Sequence, residues 1–262
     1  MKRLSILISV LSVCLFTNNL KAHPVWPHEP GRSPPRLYDI IVDGGGSPLI
    51  IDTKPLKKVT ESEYSWVKLS STMPAQTAVA TILLEEAAYA SQNKFGIYNY
   101  NGPGVAPSAS EKLLILTGSD EVADTAIVQF DLLTGIAWCD RNNNSIKESG
   151  ETAHIGSTFG FYLISPDVGC GISKPTFYTD ELLNPDTRAT EHGLIYDTRH
   201  VTGAITGNPS VVVAFEDLLL WHSDLDYDDM VVGVSGVTPV PEPATLFLLG
   251  LGSLALLKKR RG

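Results

Sequence analysis

The chain has 262 residues, with 20 Lys and Arg against 29 Asp and Glu, and a formal net charge of −9. Seven of these cations and one anion lie in the two ends, so residues 23–240 carry 13 cations against 28 anions, a net charge of −15. This charge argues against nucleic acid and anionic lipid as partners and is compatible with divalent cations. The 218 residues between the ends suffice for one all-β domain or two small ones.

The first 22 residues have the features of a secretory signal peptide. Lys2 and Arg3 precede an apolar run from Leu4 to Phe16, and Leu20-Lys21-Ala22 follows as the expected cleavage site. Residues 23–36 are rich in proline and are predicted to form a flexible leader.

The middle of the chain contains short runs rich in β-branched and aromatic residues, bounded by Gly, Asn, Asp or Pro. These runs predict strands at Leu37–Val42, Tyr64–Leu69, Phe95–Tyr98, Leu113–Leu116, Thr125–Leu132, Phe159–Ile164, Gly193–Asp197, Val211–Phe215 and Met230–Val234. The segment Thr77–Gln92 differs, because its apolar residues recur near helical spacing with Glu85 and Glu86 opposite, and it predicts one substantial helix. Residues 37–238 are therefore expected to form a mainly β domain, a β-sandwich with jelly-roll or Greek-key-like connections and a single helix.

The segment from Asp140 to Glu151 partly matches a calcium-binding EF-hand loop. Candidate ligands stand at positions 1, 3, 5 and 12 of such a loop, namely Asp140, Asn142, Asn144 and Glu151. Ser145 stands where the loop requires glycine, and the sequence shows no flanking helices. An Asn-rich hairpin turn without metal is therefore an equal or better interpretation.

Two cysteines, Cys139 and Cys170, remain outside the signal peptide. In an oxidising compartment they are predicted to form a disulfide, and two separate buried thiols are the alternative.

The densest group of acidic residues follows the predicted strand Val211–Phe215. It comprises Phe215-Glu216-Asp217-Leu218 and Ser223-Asp224-Leu225-Asp226-Tyr227-Asp228-Asp229. Converging carboxylates repel one another unless a cation neutralises them, and calcium takes six to eight oxygen ligands in loose geometry. We therefore predict that Asp217, Asp224, Asp226 and Asp228 bind one calcium ion, with Glu216 or Asp229 as a further ligand. The alternative is a solvated acidic turn capped by its own hydrogen bonds.

Catalytic motifs are absent from the sequence, which has neither G-x-S-x-G nor H-E-x-x-H. The histidines also lack the spacing of metal ligands. Glu216 and Asp226 suggest a carboxylate pair of the kind that glycosidases use, which leaves a secreted carbohydrate-active hydrolase as the alternative function.

The last residues form a three-part unit of Pro241-Glu242-Pro243, an apolar run Ala244–Leu257 and the basic residues Lys258–Arg261. A helix of this run would be roughly 21 Å long, short of the ~30 Å hydrocarbon core of a membrane, which favours a transient anchor. Residues 239–262 resemble the PEP-CTERM sorting signal of Gram-negative bacteria. The resemblance implies an exosortase-type processing enzyme as partner. An ordinary C-terminal tail anchor is the alternative.

The acidic segment also resembles the family named domain of unknown function 4114, whose members carry an F-E-D-L … S-D-x-D-Y-[DN]-D pattern. The segments Phe95–Tyr98, Phe159–Tyr162 and Thr176–Thr179 are similar to other pieces of that family, so that the resemblance runs from about Val79 to Val234. It implies export and a β-rich fold, and it implies no established activity. The sequence thus predicts an exported structural or adhesive module of the cell surface or extracellular polysaccharide.

Overall fold

The structure is a computed structural model and describes residues 66–70, 75–84, 90–142, 144–148, 150–166, 174–185, 191–199, 208–219, 227 and 229–240. The predicted signal peptide, leader and first strand at 37–42 lie outside these residues. The predicted sorting signal from Pro241 onward lies outside them as well.

The described residues form thirteen strands. In chain order they are β1 (Trp66–Leu69), β2 (Ala75–Leu84), β3 (Lys94–Asn99), β4 (Lys112–Thr117), β5 (Thr125–Asp131), β6 (Ile136–Cys139), β7 (Thr152–His154), β8 (Thr158–Ile164), β9 (Thr176–Tyr178), β10 (Gly193–Asp197), β11 (Val211–Phe215), β12 (Met230–Ser235) and β13 (Val237–Val240). Short 3-10 turns lie at Ala90–Gln92, Ala109–Glu111 and Glu181–Leu183. The mainly β fold predicted from the sequence is confirmed.

The strands belong to two antiparallel sheets. The first has six strands in the order β13-β1-β8-β3-β4, with β9 also paired to β8, and the second has seven in the order β10-β11-β12-β2-β5-β6-β7. Many neighbours in the sheets are far apart along the chain, as β1 and β13 are. Two adjacent strands of the second sheet, β11 and β12, are joined by the acidic segment predicted to bind calcium.

Buried side chains from both sheets meet in one hydrophobic core. Phe95 of the first sheet packs edge-on against Phe215 of the second, with ring centroids 6.1 Å apart. Phe159 and Phe130 form a second pair between the sheets, stacked at 5.3 Å. The two sheets are therefore held together by aromatic as well as aliphatic contacts, and the pair that includes Phe215 lies directly beside the acidic segment.

The predicted helix Thr77–Gln92 is wrong. Residues 75–84 form strand β2, and Ala90–Gln92 is only a 3-10 turn. Ala78, Ala80 and Ile82 are buried at every second position, which is the strand period, whereas Thr77 is exposed. Thr77, Val79, Thr81 and Ile82 are β-branched and favour a strand between two neighbours, so this preference outweighs the approximate helical spacing of the apolar residues.

Strands β3 and β8 pack a tyrosine of each strand over a glycine of the other. In their antiparallel register, Gly96 pairs with Tyr162 and Tyr98 pairs with Gly160. A Cβ atom at either glycine would fall inside van der Waals contact of the opposite tyrosine ring. The two rings, 1% and 3% exposed, form a small cluster of their own with Tyr178. The similar Phe-Gly-x-Tyr openings of the two strands thus reflect reciprocal packing.

Candidate metal centre

Three carboxylates lie together between the end of strand β11 and the start of strand β12. They belong to Glu216, Asp217 and Asp229. Phe215, the last residue of β11, pairs with Met230, the first residue of β12. Glu216 and Asp217 follow Phe215 directly, and Asp229 directly precedes Met230. The register of one strand pair therefore brings together residues that are twelve positions apart in the sequence.

These three carboxylates are close together and largely removed from water. Each offers an oxygen that lies within 4.8 Å of the others. Glu216 and Asp217 are each 1% exposed, and Asp229 is half-buried. The backbone N–H of Asp217 donates a hydrogen bond of 2.8 Å to Asp229 Oδ2. Buried negative charges at this spacing are costly unless a cation or several donors neutralise them.

Asn93 contacts the cluster from the other sheet. It immediately precedes β3, is fully buried, and donates a hydrogen bond of 2.9 Å from Nδ2 to Asp217 Oδ2. Its own amide oxygen is buried and has no hydrogen-bond partner in the described part of the chain. A buried amide oxygen without a donor is costly, and it is also one of the ligand types that calcium accepts. Sequence reasoning missed Asn93, because no motif or spacing links it to a segment more than a hundred residues away.

A second layer of contacts surrounds the cluster. The backbone N–H of Glu216 donates to the His192 carbonyl at 2.9 Å, and the His192 ring stacks on Phe177 at 4.1 Å. Tyr227 Oη donates to the Glu191 carbonyl at 3.0 Å. Burial raises the pKa of the Tyr227 phenol well above its usual value, and the Glu191 and Glu216 carboxylates raise it further. The phenol therefore stays protonated and adds no further charge to this acidic region.

Three of the six residues predicted as calcium ligands are thus brought together: Glu216, Asp217 and Asp229. The other three, Asp224, Asp226 and Asp228, lie outside the described residues. The complete ligand set therefore stays a prediction.

The second predicted metal loop, Asp140 to Glu151, connects β6 and β7. Its residues other than 143 and 149 are described. Asp140 accepts hydrogen bonds from two backbone N–H groups, those of Asn144 at 3.1 Å and Ser145 at 2.7 Å. Ser145 has a φ of 61°, so a serine adopts here the left-handed conformation for which glycine was expected. These contacts fit the Asn-rich turn that the sequence suggests. They also hold Asp140 and Asn144, two of the candidate ligands, close to each other.

Cys139 is buried, and its thiol forms no disulfide within the described part of the chain. Cys170 lies outside the described residues, so the pairing itself stays a prediction. Burial raises the pKa of the Cys139 thiol to about 11, and the Arg141 guanidinium opposes this rise.

Because the thiol form is inert, we expect Cys139 of the folded protein to resist alkylation by iodoacetamide at pH 8 and to react fully after denaturation without reductant. Mass spectrometry of the peptide that contains Cys139 measures both rates. Fast labelling of the folded protein would contradict the buried thiol. Protection that persists in denaturant and disappears with reductant would instead show the disulfide with Cys170.

The C-terminal segments predicted to direct sorting lie beyond the described residues. They are Pro241-Glu242-Pro243 and the apolar run Ala244–Leu257. Within the described ranges there is no helix of sufficient length and apolar character to cross a membrane.

Comparison with known families agrees with both resemblances seen in the sequence. Residues 154–237 match the domain of unknown function (DUF4114), and residues 239–261 match the PEP-CTERM protein-sorting motif. The first match begins later than Val79, where the resemblance was predicted to start, and it includes Glu216, Asp217 and Asp229. No curated protein and no solved structure matches the chain. The chain thus carries a DUF4114 segment and a PEP-CTERM motif, and the motif indicates export and exosortase-dependent sorting to the cell surface.

Proposed function

We propose that this protein is a structural or adhesive module of the cell surface or extracellular polysaccharide, and that one calcium ion bound by its acidic cluster stabilises it. The observation that carries the proposal is the buried cluster of Glu216, Asp217 and Asp229, together with the buried Asn93 oxygen that has no hydrogen-bond donor in the described part of the chain.

The ligand chemistry favours calcium among the common metal ions. Carboxylate and amide oxygens are hard ligands, and calcium accepts many of them in flexible geometry. Zinc and copper sites rely on imidazole or thiolate ligands instead. Asp224, Asp226 and Asp228 are expected to complete the coordination from the connection between β11 and β12.

The position of the cluster suggests what the ion does. Asn93 leads into a strand of the six-stranded sheet, whereas Glu216, Asp217 and Asp229 flank two strands of the seven-stranded sheet. An ion shared by these residues would link the two sheets at one end of their common core. The shared core supports the β-sandwich predicted from the sequence, and the ion would give the domain a mechanical role by holding its two sheets together.

The alternative function as a hydrolase receives less support. Glycosidases hold their two carboxyl groups about 5–5.5 Å apart, or about 6.5–9.5 Å apart, on either side of an accessible sugar. The carboxylates of this cluster offer oxygens within 4.8 Å, and Glu216 and Asp217 are each 1% exposed. This burial of Glu216 speaks against a residue that acts on a polysaccharide, while its partner in the predicted pair, Asp226, lies outside the described residues.

Thermal unfolding of the full-length chain in detergent tests the proposal. Calcium at a hundredfold excess over Kd would stabilise the folded state by about 2.7 kcal/mol. For a domain of this size, that gain raises the Tm by roughly 5–10 °C. Equal Tm values in EDTA and in millimolar calcium would refute the calcium site.

A matched variant shows whether this cluster is responsible. Asp229→Asn removes one carboxylate of the cluster, and Asp180→Asn changes a buried aspartate that accepts hydrogen bonds from Gly104 and Leu182 instead. We expect Asp229→Asn to lose most of the calcium-dependent rise in Tm and Asp180→Asn to keep it.

A further inference from the structure

The loop between β6 and β7, residues 140–151, forms a second group of oxygen ligands. It ends before residue 154, where the DUF4114 match begins, and it is separate from the cluster at β11 and β12. Its ligand types stand at positions 1, 3, 5, 9 and 12, in the order Asp140, Asn142, Asn144, Glu148 and Glu151. These are the positions from which the side chains of a calcium-binding loop reach the ion, directly or through water.

Glu151 gives the independent indication of a ligand. It is 3% exposed, and its Oε1 accepts a hydrogen bond of 3.2 Å from the backbone N–H of Arg141, beside the start of the loop. Its Oε2 is buried and has no hydrogen-bond partner in the described part of the chain. A buried carboxylate oxygen without a donor is costly, and a cation at the start of the loop would remove that cost.

The side chains of the loop are already turned toward one another. Glu148 accepts hydrogen bonds from the amide nitrogens of Asn142 at 3.2 Å and Asn144 at 3.0 Å. The amide oxygens of the same two residues accept from backbone N–H groups within the loop, at 3.1 Å and 2.7 Å. Among the described residues, only the first cluster has three carboxylates within 4.8 Å of one another. Binding here would therefore draw Asp140, Glu148 and Glu151 closer together.

The two basic side chains of the loop, Arg141 and Lys147, make other contacts than salt bridges to its carboxylates. Arg141 Nη2 donates to the Gly150 carbonyl at 2.9 Å. Lys147 Nζ lies 5.2 Å from the centre of the Trp138 ring, in a cation–π contact. Within the described ranges, neither forms an ion pair with Asp140, Glu148 or Glu151. An incoming calcium ion therefore has no salt bridge to break.

We propose that residues 140–151 bind one calcium ion through Asp140, Asn142, Asn144 and Glu151, with the Ile146 carbonyl and Glu148 completing the shell. Ser145 supplies the left-handed turn at position 6 that glycine supplies in other calcium loops. The affinity is expected in the range of extracellular modules, with a Kd on the order of 0.1–1 mM.

Terbium luminescence tests the site, because Tb³⁺ occupies calcium sites and emits when a nearby indole is excited. Trp138 lies two residues before Asp140 and is the natural sensitiser. In the full-length chain in detergent, we expect tryptophan-excited Tb³⁺ emission that calcium displaces. Trp138→Phe should remove the emission of this site while equilibrium dialysis shows that the number of bound calcium ions is unchanged.

Two variants and one control decide the outcome. Glu151→Gln and Asp140→Asn should each weaken this site by about tenfold or more, since calcium affinity follows ligand charge. Asp124→Asn, in an exposed turn where the carboxylate accepts a hydrogen bond from the backbone N–H of Glu121, should change neither the calcium affinity nor the emission. Asp140 is partly exposed, so its variant is expected to fold even if Glu151→Gln does not.

Dialysis separates this site from the cluster at β11 and β12. We expect the wild-type chain to bind one more calcium ion than Asp140→Asn, and Asp229→Asn to keep the Trp138-dependent emission. Unchanged calcium stoichiometry and emission in Asp140→Asn would overturn the proposal and leave an Asn-rich turn held by its own hydrogen bonds. That result would not contradict the separate calcium site proposed at Asp217.

Discussion

In calcium, Asp217→Asn is expected to have a lower free energy of unfolding than the wild-type protein. In EDTA, its free energy of unfolding is expected to equal or exceed that of the wild type. Without an ion, Asp217 is one of three crowded carboxylates, and its neutralisation relieves repulsion from Glu216 and Asp229. With calcium bound, the same change removes a charged ligand and most of the roughly 2.7 kcal/mol that a hundredfold excess over Kd provides. Urea unfolding of the full-length chain in both conditions measures the two free energies of unfolding.

The control for this prediction is Asp180→Asn. Asp180 is also buried, at 3% exposed, but accepts its hydrogen bonds from the backbone N–H groups of Gly104 and Leu182. Its substitution should lower the free energy of unfolding equally with and without calcium. If Asp217→Asn showed the same calcium-independent loss as Asp180→Asn, its role would be that of an ordinary buried hydrogen-bond acceptor.

Gly96→Ala and Gly160→Ala are each expected to cost about 1–3 kcal/mol or more of stability, because an added methyl group overfills a packed site. At Gly160 the three atoms nearest to the new Cβ all belong to the Tyr98 side chain. At Gly96 it would meet the Leu113 backbone carbonyl as well as the Tyr162 ring. Tyr98 is 1% exposed and packs against Tyr178 at 5.2 Å, so its ring has little room to move.

Double-mutant cycles distinguish the two glycines. Tyr98→Leu shortens the obstructing side chain and should recover part of the loss caused by Gly160→Ala. Tyr162→Leu should recover much less of the loss caused by Gly96→Ala, since the backbone carbonyl remains. Additive effects in the first pair, measured by urea unfolding, would contradict the reciprocal glycine–tyrosine packing.

Local sequence pattern predicted most of the fold but failed where two patterns competed. Strand β11 is rich in β-branched residues, strand β10 contains Ile195 and Tyr196, and the bounds of both strands were predicted as observed. In β2 the small residues Ala78 and Ala80 fit a helix or a strand, and the β-branched residues around them, together with the pairing to β5 and β12, favour the strand. Strand β13 was missed because Pro239 interrupts its pattern, and proline is tolerated there because β13 is at the edge of its sheet.

The metal centre was predictable only in part, for a reason that lies in the topology. Glu216, Asp217 and Asp229 stand in one segment, and the strand pair that flanks it brings them together. Asn93 enters the cluster through the packing of two sheets, and no pattern in a single sequence encodes that contact. In the second loop, glycine was expected at position 6, yet Ser145 adopts the required left-handed conformation, which the hydrogen bonds to Asp140 support.

The most direct test of the calcium site is a crystal structure of the protein grown in millimolar calcium, with an anomalous difference map to identify the ion. We expect one ion at about 2.3–2.6 Å from oxygens of Glu216, Asp217 and Asp229 and from Asn93 Oδ1. A map without an ion at this position, with Asn93 Oδ1 hydrogen-bonded to water instead, would contradict the account.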